Sequence, residues 1–297
     1  MTLEQLRIFI AVAEREHLTR AAADIGLTAS AVSASIKALE SFHNVTLFDR
    51  VGRGIELTEA GRIFLVEAKA TLARAEMAGL VLSELGGLRR GALHVQASQT
   101  IANYWLPPRL MRFHDAHPGV DVRLGVGNTQ SVTRAVMEGE AELGFIEGEV
   151  DVPALHVSLV AEDAMRVVVD RSHPFADGRL LGPAELAQAN WIMRETGSGT
   201  RAALTDALGA LGLSEGDLTI ALELPSNGAV VSAVQGTSGV AALSSAVVAP
   251  FIAQGRLVAA NFDLPVRRFY ALRHKERRLS KAAEVLLQMG TPAADAG

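Results

Sequence analysis

Thr19-Arg-Ala-Ala-Ala-Asp-Ile-Gly26-Leu-Thr28-Ala-Ser-Ala-Val-Ser-Ala-Ser-Ile-Lys-Ala-Leu39 decides the reading of the N-terminal part of this 297-residue chain. An Ala-rich helical run ends at Gly26, and a second begins directly behind Thr28. Ala22 is small enough for another helix to cross close above it. Gly26 can take the positive φ that a tight turn between helices requires. Thr28 can accept from an orphan N–H of the following first turn. This is the pattern of a helix-turn-helix, whose second helix enters the DNA major groove. Val32, Ile36 and Leu39 repeat at i, i+4 and i+7, so they face inward. Ser30, Ser33, Ala34 and Lys37 are left facing out.

Upstream, Leu3, Leu6, Ile10 and Ala13 mark the inner face of a first helix, with Phe9 beside it. A second helix begins near Thr19. Downstream, Val45–Phe48 and Ile55–Leu57 are short β-prone runs around Asp49-Arg50-Val51-Gly52-Arg53-Gly54, a hairpin signal. A hairpin directly behind a recognition helix is a wing, with Arg53 at its tip. Thr58 then caps a helix expected to run from Glu59 to Leu85 and to stop at Gly86-Gly87. At ~1.5 Å per residue it is about 40 Å long. Its apolar stripe calls for a partner surface, most simply the same helix of a second copy.

Composition narrows the class. With 49% hydrophobic and 21% charged residues the chain can bury sizeable cores, and its length suits about two domains. There is no cysteine, so there is no disulfide framework or thiolate metal site. The opening Met-Thr-Leu-Glu-Gln lacks the pattern of a secretory signal. Polar and turn residues interrupt the most apolar region, 230–253, and make it a poor membrane span. A cytoplasmic location is expected. The net charge of −5 argues against binding DNA by bulk charge, so the placement of Lys37, Arg50 and Arg53 has to serve.

After Gly91 the pattern changes to alternating strands and helices. Strands are expected at 92–97, 120–126, 143–146, 166–169, 191–193, 219–222 and 239–243. This describes an α/β domain with mainly parallel sheets, which bind ligands at the C-terminal ends of their strands. Ser98-Gln99-Thr100, Asn128-Thr129, Gly197–Thr200 and Ser226-Asn227-Gly228 each follow a strand and open a helix. Converging helix N-termini suit an anion, although any α/β domain needs such residues as ordinary N-caps. The expected ligand is a small anion, such as a carboxylate. Thr100, Asn128, Ser198 and Thr200 are its main holders, with Ser98, Thr129 and Ser226 around them and Arg201 adding charge. Glu147 opposes an anion unless it pairs with Arg194 or Arg201, or accepts from a protonated ligand. No other cofactor and no metal are expected.

The alternatives are an enzyme or a pure small-molecule-binding protein. Thr196-Gly-Ser-Gly-Thr200 is followed by no Gly-Lys-Ser/Thr, and Ser198 lies in no Gly-x-Ser-x-Gly elbow. His114 and His117 read as a solvated helix face. Trp105 and Trp191 read as packing anchors, and His173 as a turn residue. A storage protein would leave the N-terminal head unexplained. Pro292–Gly297 reads as a disordered Ala-rich tail.

The ordered set Leu3, Phe9, Ala21-Ala22, Thr28, Ser30–Ser33, Ile36, Leu39-Glu40, Leu47-Phe48, Arg50, Arg53, Leu57-Thr58 and Ala60-Gly61 resembles the LysR-type transcriptional regulators. The resemblance covers nearly the whole chain. It implies a winged helix-turn-helix DNA-binding domain over 1–58, a dimerising linker helix over 59–87, and a two-lobed effector domain similar to periplasmic binding proteins over 88–297, with one lobe over 91–162 and 267–297 and the other over 163–266. It also implies a homodimer or homotetramer that binds double-stranded promoter DNA and engages RNA polymerase. Ala97–Ile101, Gly127–Thr129, Ile146–Gly148, Arg194–Arg201 and Glu223-Leu224 resemble a narrower branch that controls sulfur assimilation through sulfite or sulfate, which implies a small anionic effector, a sulfur oxyanion or a carboxylate. Many members carry Gln, Arg and Gln where this chain has Ala29, Ala34 and Ser35. Long bidentate base readers, worth about 1–3 kcal/mol of discrimination each, are therefore missing. Readout is expected from Ser30 and Ser33, from apolar contacts of Ala29 or Ala34 with thymine methyls, and from DNA shape. Lys37 and Arg50 are expected to meet phosphates.

Overall fold

The computed structural model describes residues 1–51, 54–85 and 91–290. They form two compact units, one built on Met1–Ser83 and one on Glu84–Met137 with Ala141–Gly297. The wing tip with Arg53, the Gly86-Gly87 stop and the Ala-rich tail lie outside the described residues.

The first unit begins with α1 (Leu3–Arg15), capped by a reciprocal Thr2/Gln5 box. Next come α2 (Leu18–Asp24) and α3 (Ala29–His43). α2 starts one residue earlier than expected because His17 Nδ1 accepts from the Arg20 N–H. Gly26 has φ +68°, and Thr28 Oγ1 accepts from the Ala31 N–H at 3.2 Å. Phe9 is fully buried, with ring centroids 5.4 Å from Phe48 and 4.8 Å from Phe64. Burying one such ring is worth about 1.5–3 kcal/mol. The hairpin pairs β1 (Phe48–Val51) with β2 (Gly54–Leu57). Its first strand starts later than the β-prone run, because Val45 and Leu47 give their N–H groups to Glu40. α4 (Glu59–Leu85) follows. Thr58 caps it, accepting from the Gly61 N–H at 2.9 Å.

The second unit lays down β3 (Gly91–Ser98), α5 (Pro107–Ala116), β4 (Val120–Gly127), α6 (Thr129–Glu138), β5 (Leu143–Glu147) and β6 (Leu155–Asp163). It crosses at Ala164 into β7 (Met165–Asp170), α7 (Pro183–Gln188), β8 (Asn190–Arg194), α8 (Gly199–Gly209), β9 (Thr219–Leu224), α9 (Asn227–Val234), β10 (Gly239–Ser244), α10 (Ser245–Ala253) and β11 (Leu257–Asp263). It then returns through 264–266 into β12 (Arg267–His274) and α11 (Lys281–Gly290). One lobe has strand order β4-β3-β5-β12-β6 and the other β11-β7-β10-β8-β9.

Each sheet is half parallel, not mainly parallel. In the first, β3 pairs in parallel with β4 and β5, while β12 runs antiparallel to β5 and β6. The second repeats this arrangement around β8 and β7. β6, β11 and β12 are the strands that strand–helix alternation misses, since no helix separates β6 from β7 or β11 from β12. Central β5 and β10 are buried throughout, as strands covered on both faces must be. Trp191 is fully buried and donates its indole N–H to the Leu186 carbonyl at 2.8 Å. Trp105 packs on Phe145 and Phe269 under the Arg109 guanidinium.

The second lobe carries an acid-sensitive tie. Asp170, at the end of β7, accepts from the Ser172 hydroxyl and N–H and from the Gly236 N–H, at 2.6, 2.9 and 2.7 Å. These bonds favour the carboxylate and hold its pKa down to about 2. The resulting stability is present above the unfolded carboxylate range near pH 4 and lost as pH falls toward 2. Asp170→Asn is therefore expected to flatten the acid limb of an unfolding curve followed by circular dichroism between pH 4 and 2. An unchanged limb would refute this assignment.

Candidate functional site

The first candidate surface is the outer side of α3. Val32, Ile36 and Leu39 are buried in the head core, as their spacing requires. Thr28, Ser30, Ala34 and Lys37 are exposed, while Ala29 and Ser33 are half-buried on the same helix. Thr28 Oγ1 and Ser30 Oγ lie 3.0 Å apart. Arg50 is exposed on β1. Glu40, one of the residues that carry the family resemblance, is a positioning residue whose role the sequence did not show. Its Oε1 accepts from the N–H groups of Leu47 and Phe48 at 2.7 and 3.3 Å. It thereby fixes the wing's entry to the end of α3. A carboxylate near a helix end gave no sequence signal of that reach.

The second candidate lies between the two lobes of the second unit. The C-terminal ends of β3, β4 and β5 meet the N-termini of α8 and α9 there. Thr100 Oγ1 accepts from Asn227 Nδ2 at 3.2 Å and from Arg267 Nη2 at 3.4 Å. Arg267 Nη1 donates to Thr200 Oγ1 at 2.9 Å. Asn128 Nδ2 reaches Glu195 Oε1 at 3.2 Å, and the Gln130 N–H reaches the Gly197 carbonyl at 3.2 Å. The lobes fit so closely that a Cβ on Gly199 would fall 2.5 Å from the Glu147 carbonyl oxygen. Thr129 Oγ1 donates to that same carbonyl at 3.0 Å. Beside these contacts lies a cavity of about 950 Å³, whose wall includes Thr129, Glu147, Ser198, Gly199 and Arg267.

The N-cap alternative divides these residues into two groups. Ser226 is a cap, accepting from the Ala229 N–H at 3.1 Å, and the residue that turns inward is its neighbour Asn227. Asn128 also caps, accepting from the Ser131 N–H at 3.0 Å, but its amide nitrogen crosses to the other lobe. Thr100 caps nothing, because the chain after it makes a wide π-turn, Ile101–Trp105, before α5. The Ser198 side chain makes no capping bond, and Ser98 Oγ is buried without a partner. The hydroxyls of Ser98, Thr100 and Thr200 are all buried.

The charges differ from the sequence expectation. Arg201 does not supply free charge to the cleft. Glu215 and Glu223 engage its guanidinium and raise its pKa. Glu147 pairs with neither Arg194 nor Arg201. Arg194, 4% exposed, is held by both Glu195 oxygens and by Asn227. The cation nearest Glu147 is Arg267, at 4.0 Å. Arg267 itself is 6% exposed and donates from Nε to Asp163 at 2.7 Å. Asp163 also accepts from Ser244 at 2.8 Å, which joins both crossovers to the second lobe. The only sequence hint for Arg267 was its place at the lobe return. Among the described residues no group of three His, Asp or Glu could hold a metal.

Comparison with known proteins follows the same division. Residues 3–62 match the bacterial regulatory helix-turn-helix protein model of the lysR family. Residues 86–294 match the LysR substrate binding domain. The chain belongs to the LysR family. It is a DNA-binding transcriptional regulator with a small-molecule effector domain, not an enzyme. The uncharacterised HTH-type transcriptional regulator YeiE of Escherichia coli K12 is 34% identical over 295 residues, 99% of this chain and 98% of its own. Full-length CbnR complexed with its target DNA shares the fold at TM-score 0.71 and 21% identity, over 98% of this chain and 99% of its own. The CcmR regulatory domain of Synechocystis PCC6803, in complex with 2-PG, is 26% identical at TM-score 0.61. That match covers 67% of this chain and 95% of that domain. No helix among the described residues is long and apolar enough to cross a membrane.

Proposed function

We propose that this LysR-type regulator acts as a homodimer or homotetramer that reads promoter DNA with the outer side of α3 and engages RNA polymerase. In this reading a small anionic effector enters between the lobes. The observation that carries the DNA reading is the polarity of α3. One side is anchored by three buried apolar residues and the other presents Ser30, Ser33, Ala34 and Lys37. With short side chains at Ala29, Ser30, Ser33 and Ala34, readout rests on hydroxyls, methyl contacts and DNA shape. Lys37 and Arg50 supply phosphate contacts; Arg53 lies outside the described residues. Ser33→Ala is expected to change the ranking among operator variants in gel shifts. Lys37→Ala should weaken every operator alike and lower the salt slope by about 1. Equal weakening at all sites by both variants would refute this division of labour.

Self-association through α4 is supported by its two apolar sides. Phe64, Leu65 and Ala68 pack into the head core, whereas Ile63 and Val66 are 63% and 47% exposed. A second copy covering Ile63 and Val66 would bury them. Sedimentation of Ile63→Glu/Val66→Glu is expected to show smaller assemblies, and an unchanged species would assign the contact elsewhere.

The effector reading rests on Thr100, Asn128, Thr129, Ser198 and Thr200, with Arg267, whose charge Asp163 engages, standing at the cleft where Arg201 was expected. Ser98 supports it, and Ser226 acts through the start of α9. Resemblance to the sulfur-assimilation branch favours a sulfur oxyanion. The CcmR domain with 2-PG adds that compound to the panel. Calorimetry of the full chain with sulfite, sulfate, small carboxylates and 2-PG tests the proposal. Absence of heat and of thermal shift with all of them would remove the anion reading.

A further inference from the structure

The interlobe cleft contains a buried carboxylate that the fold holds only by long contacts. Glu147 is 3% exposed and ends β5 on the cavity wall. The closest donors to its carboxylate are the Thr129 hydroxyl, 3.5 Å from Oε2, and Arg267 Nη2, 4.0 Å from Oε1. Both have shorter commitments. Thr129 donates to the Glu147 carbonyl at 3.0 Å, and Arg267 donates to Asp163 at 2.7 Å and Thr200 at 2.9 Å. The neighbouring arginines are matched as well, Arg194 by Glu195 and Arg201 by Glu215 and Glu223. A buried carboxylate without a short donor is costly, and a ligand that supplies one relieves the cost.

The same cavity wall also offers donors. Ser198 lines it, and the first turn of α8 at Gly199 has no side-chain cap. That turn lies directly against Glu147, since a Cβ on Gly199 would fall 2.9 Å from the Glu147 Cβ. A ligand placed here meets O–H and N–H donors on one side and a carboxylate acceptor on the other. A fully deprotonated oxyanion satisfies the donors but turns lone pairs toward Glu147. An anion that keeps an acid proton or carries a hydroxyl satisfies both sides.

We propose that Glu147 makes this site select anions bearing a donor hydrogen over anions of similar size and charge that bear none. The inference rests on the anionic-effector reading and adds a ligand class to it. Two matched pairs test it by calorimetry on the full chain at pH 7.5: inorganic phosphate against sulfate, and lactate against pyruvate. The donor-bearing member of each pair is expected to bind about 10- to 100-fold more tightly, the scale set by leaving a charged acceptor without its donor. Glu147→Gln brings its own amide hydrogens and is expected to bring the two members of each pair to within about threefold of each other. Equal binding of both members by the unmodified protein overturns the selectivity while leaving the anion reading in place. No binding by any of the four, by sulfite or by 2-PG removes the anion reading and the selectivity with it. Because the pairs are compared on the unmodified protein, a variant that fails to fold does not obscure the result.

Discussion

Arg267→Ala is expected to destabilise the effector domain by about 3–5 kcal/mol, the range for removing one partner of a buried, hydrogen-bonded ion pair. The guanidinium is almost fully buried and joins three segments. It binds Asp163 at one crossover, Thr200 at the start of α8, and Thr100 behind β3. Its removal strands the Asp163 carboxylate, whose remaining partner is the Ser244 hydroxyl. It also leaves Glu147 without its nearest cation. Arg267→Lys keeps the charge but not the planar fork, so it should fall between the two. Pairing Arg267→Ala with Asp163→Asn should recover part of the loss, since no unmatched carboxylate then remains at the crossover. Urea unfolding followed by fluorescence of Trp105 and Trp191, both in this domain, measures all four proteins. A midpoint for Arg267→Ala equal to that of the unmodified chain would show that the pair contributes nothing to stability.

Residues whose task is local were the ones readable from the chain. Val32, Ile36 and Leu39 declared the buried side of α3 by spacing alone, and Gly26 and Thr28 declared the turn. The strands followed by helices, β3, β4, β8 and β9, were equally plain, because period and punctuation reinforce each other within a few residues. Arg267 was not legible as a cleft residue. Its partners lie 67, 104 and 167 positions away, and nothing local tells an arginine beginning a strand from an exposed one. Arg201 illustrates the converse. Its place in the first turn of α8 pointed to the ligand, but Glu215 and Glu223, both well downstream, engage its charge. Ser226 and Asn227 differ in a similar way. Either could cap α9, and only the fold shows that the serine does so while the asparagine reaches Thr100.

Gly61→Ala is expected to destabilise the DNA-binding head by about 1–3 kcal/mol and to weaken operator binding, against the helix propensity of the substitution. Alanine is favoured over glycine in a helix interior by about 1 kcal/mol, so a reading of α4 alone predicts stabilisation. Packing reverses the sign. A Cβ at position 61 would lie 2.2 Å from the Leu47 carbonyl oxygen and 2.8 Å from Leu57 Cδ2. The first neighbour is backbone and cannot rotate away. That carbonyl also accepts from the Thr58 N–H at 3.0 Å, so displacing it loosens the cap of α4 and the residue leading into the wing. Gly79→Ala on the same helix is the control, because nothing lies within 4 Å of its added Cβ. There propensity acts alone and a gain of up to about 1 kcal/mol is expected. Thermal unfolding by circular dichroism, together with gel shifts, separates the two substitutions. If Gly61→Ala proved as stabilising as Gly79→Ala, the close approach of α4 to the Leu47 backbone would be disproved, and with it the role of that contact in seating the wing.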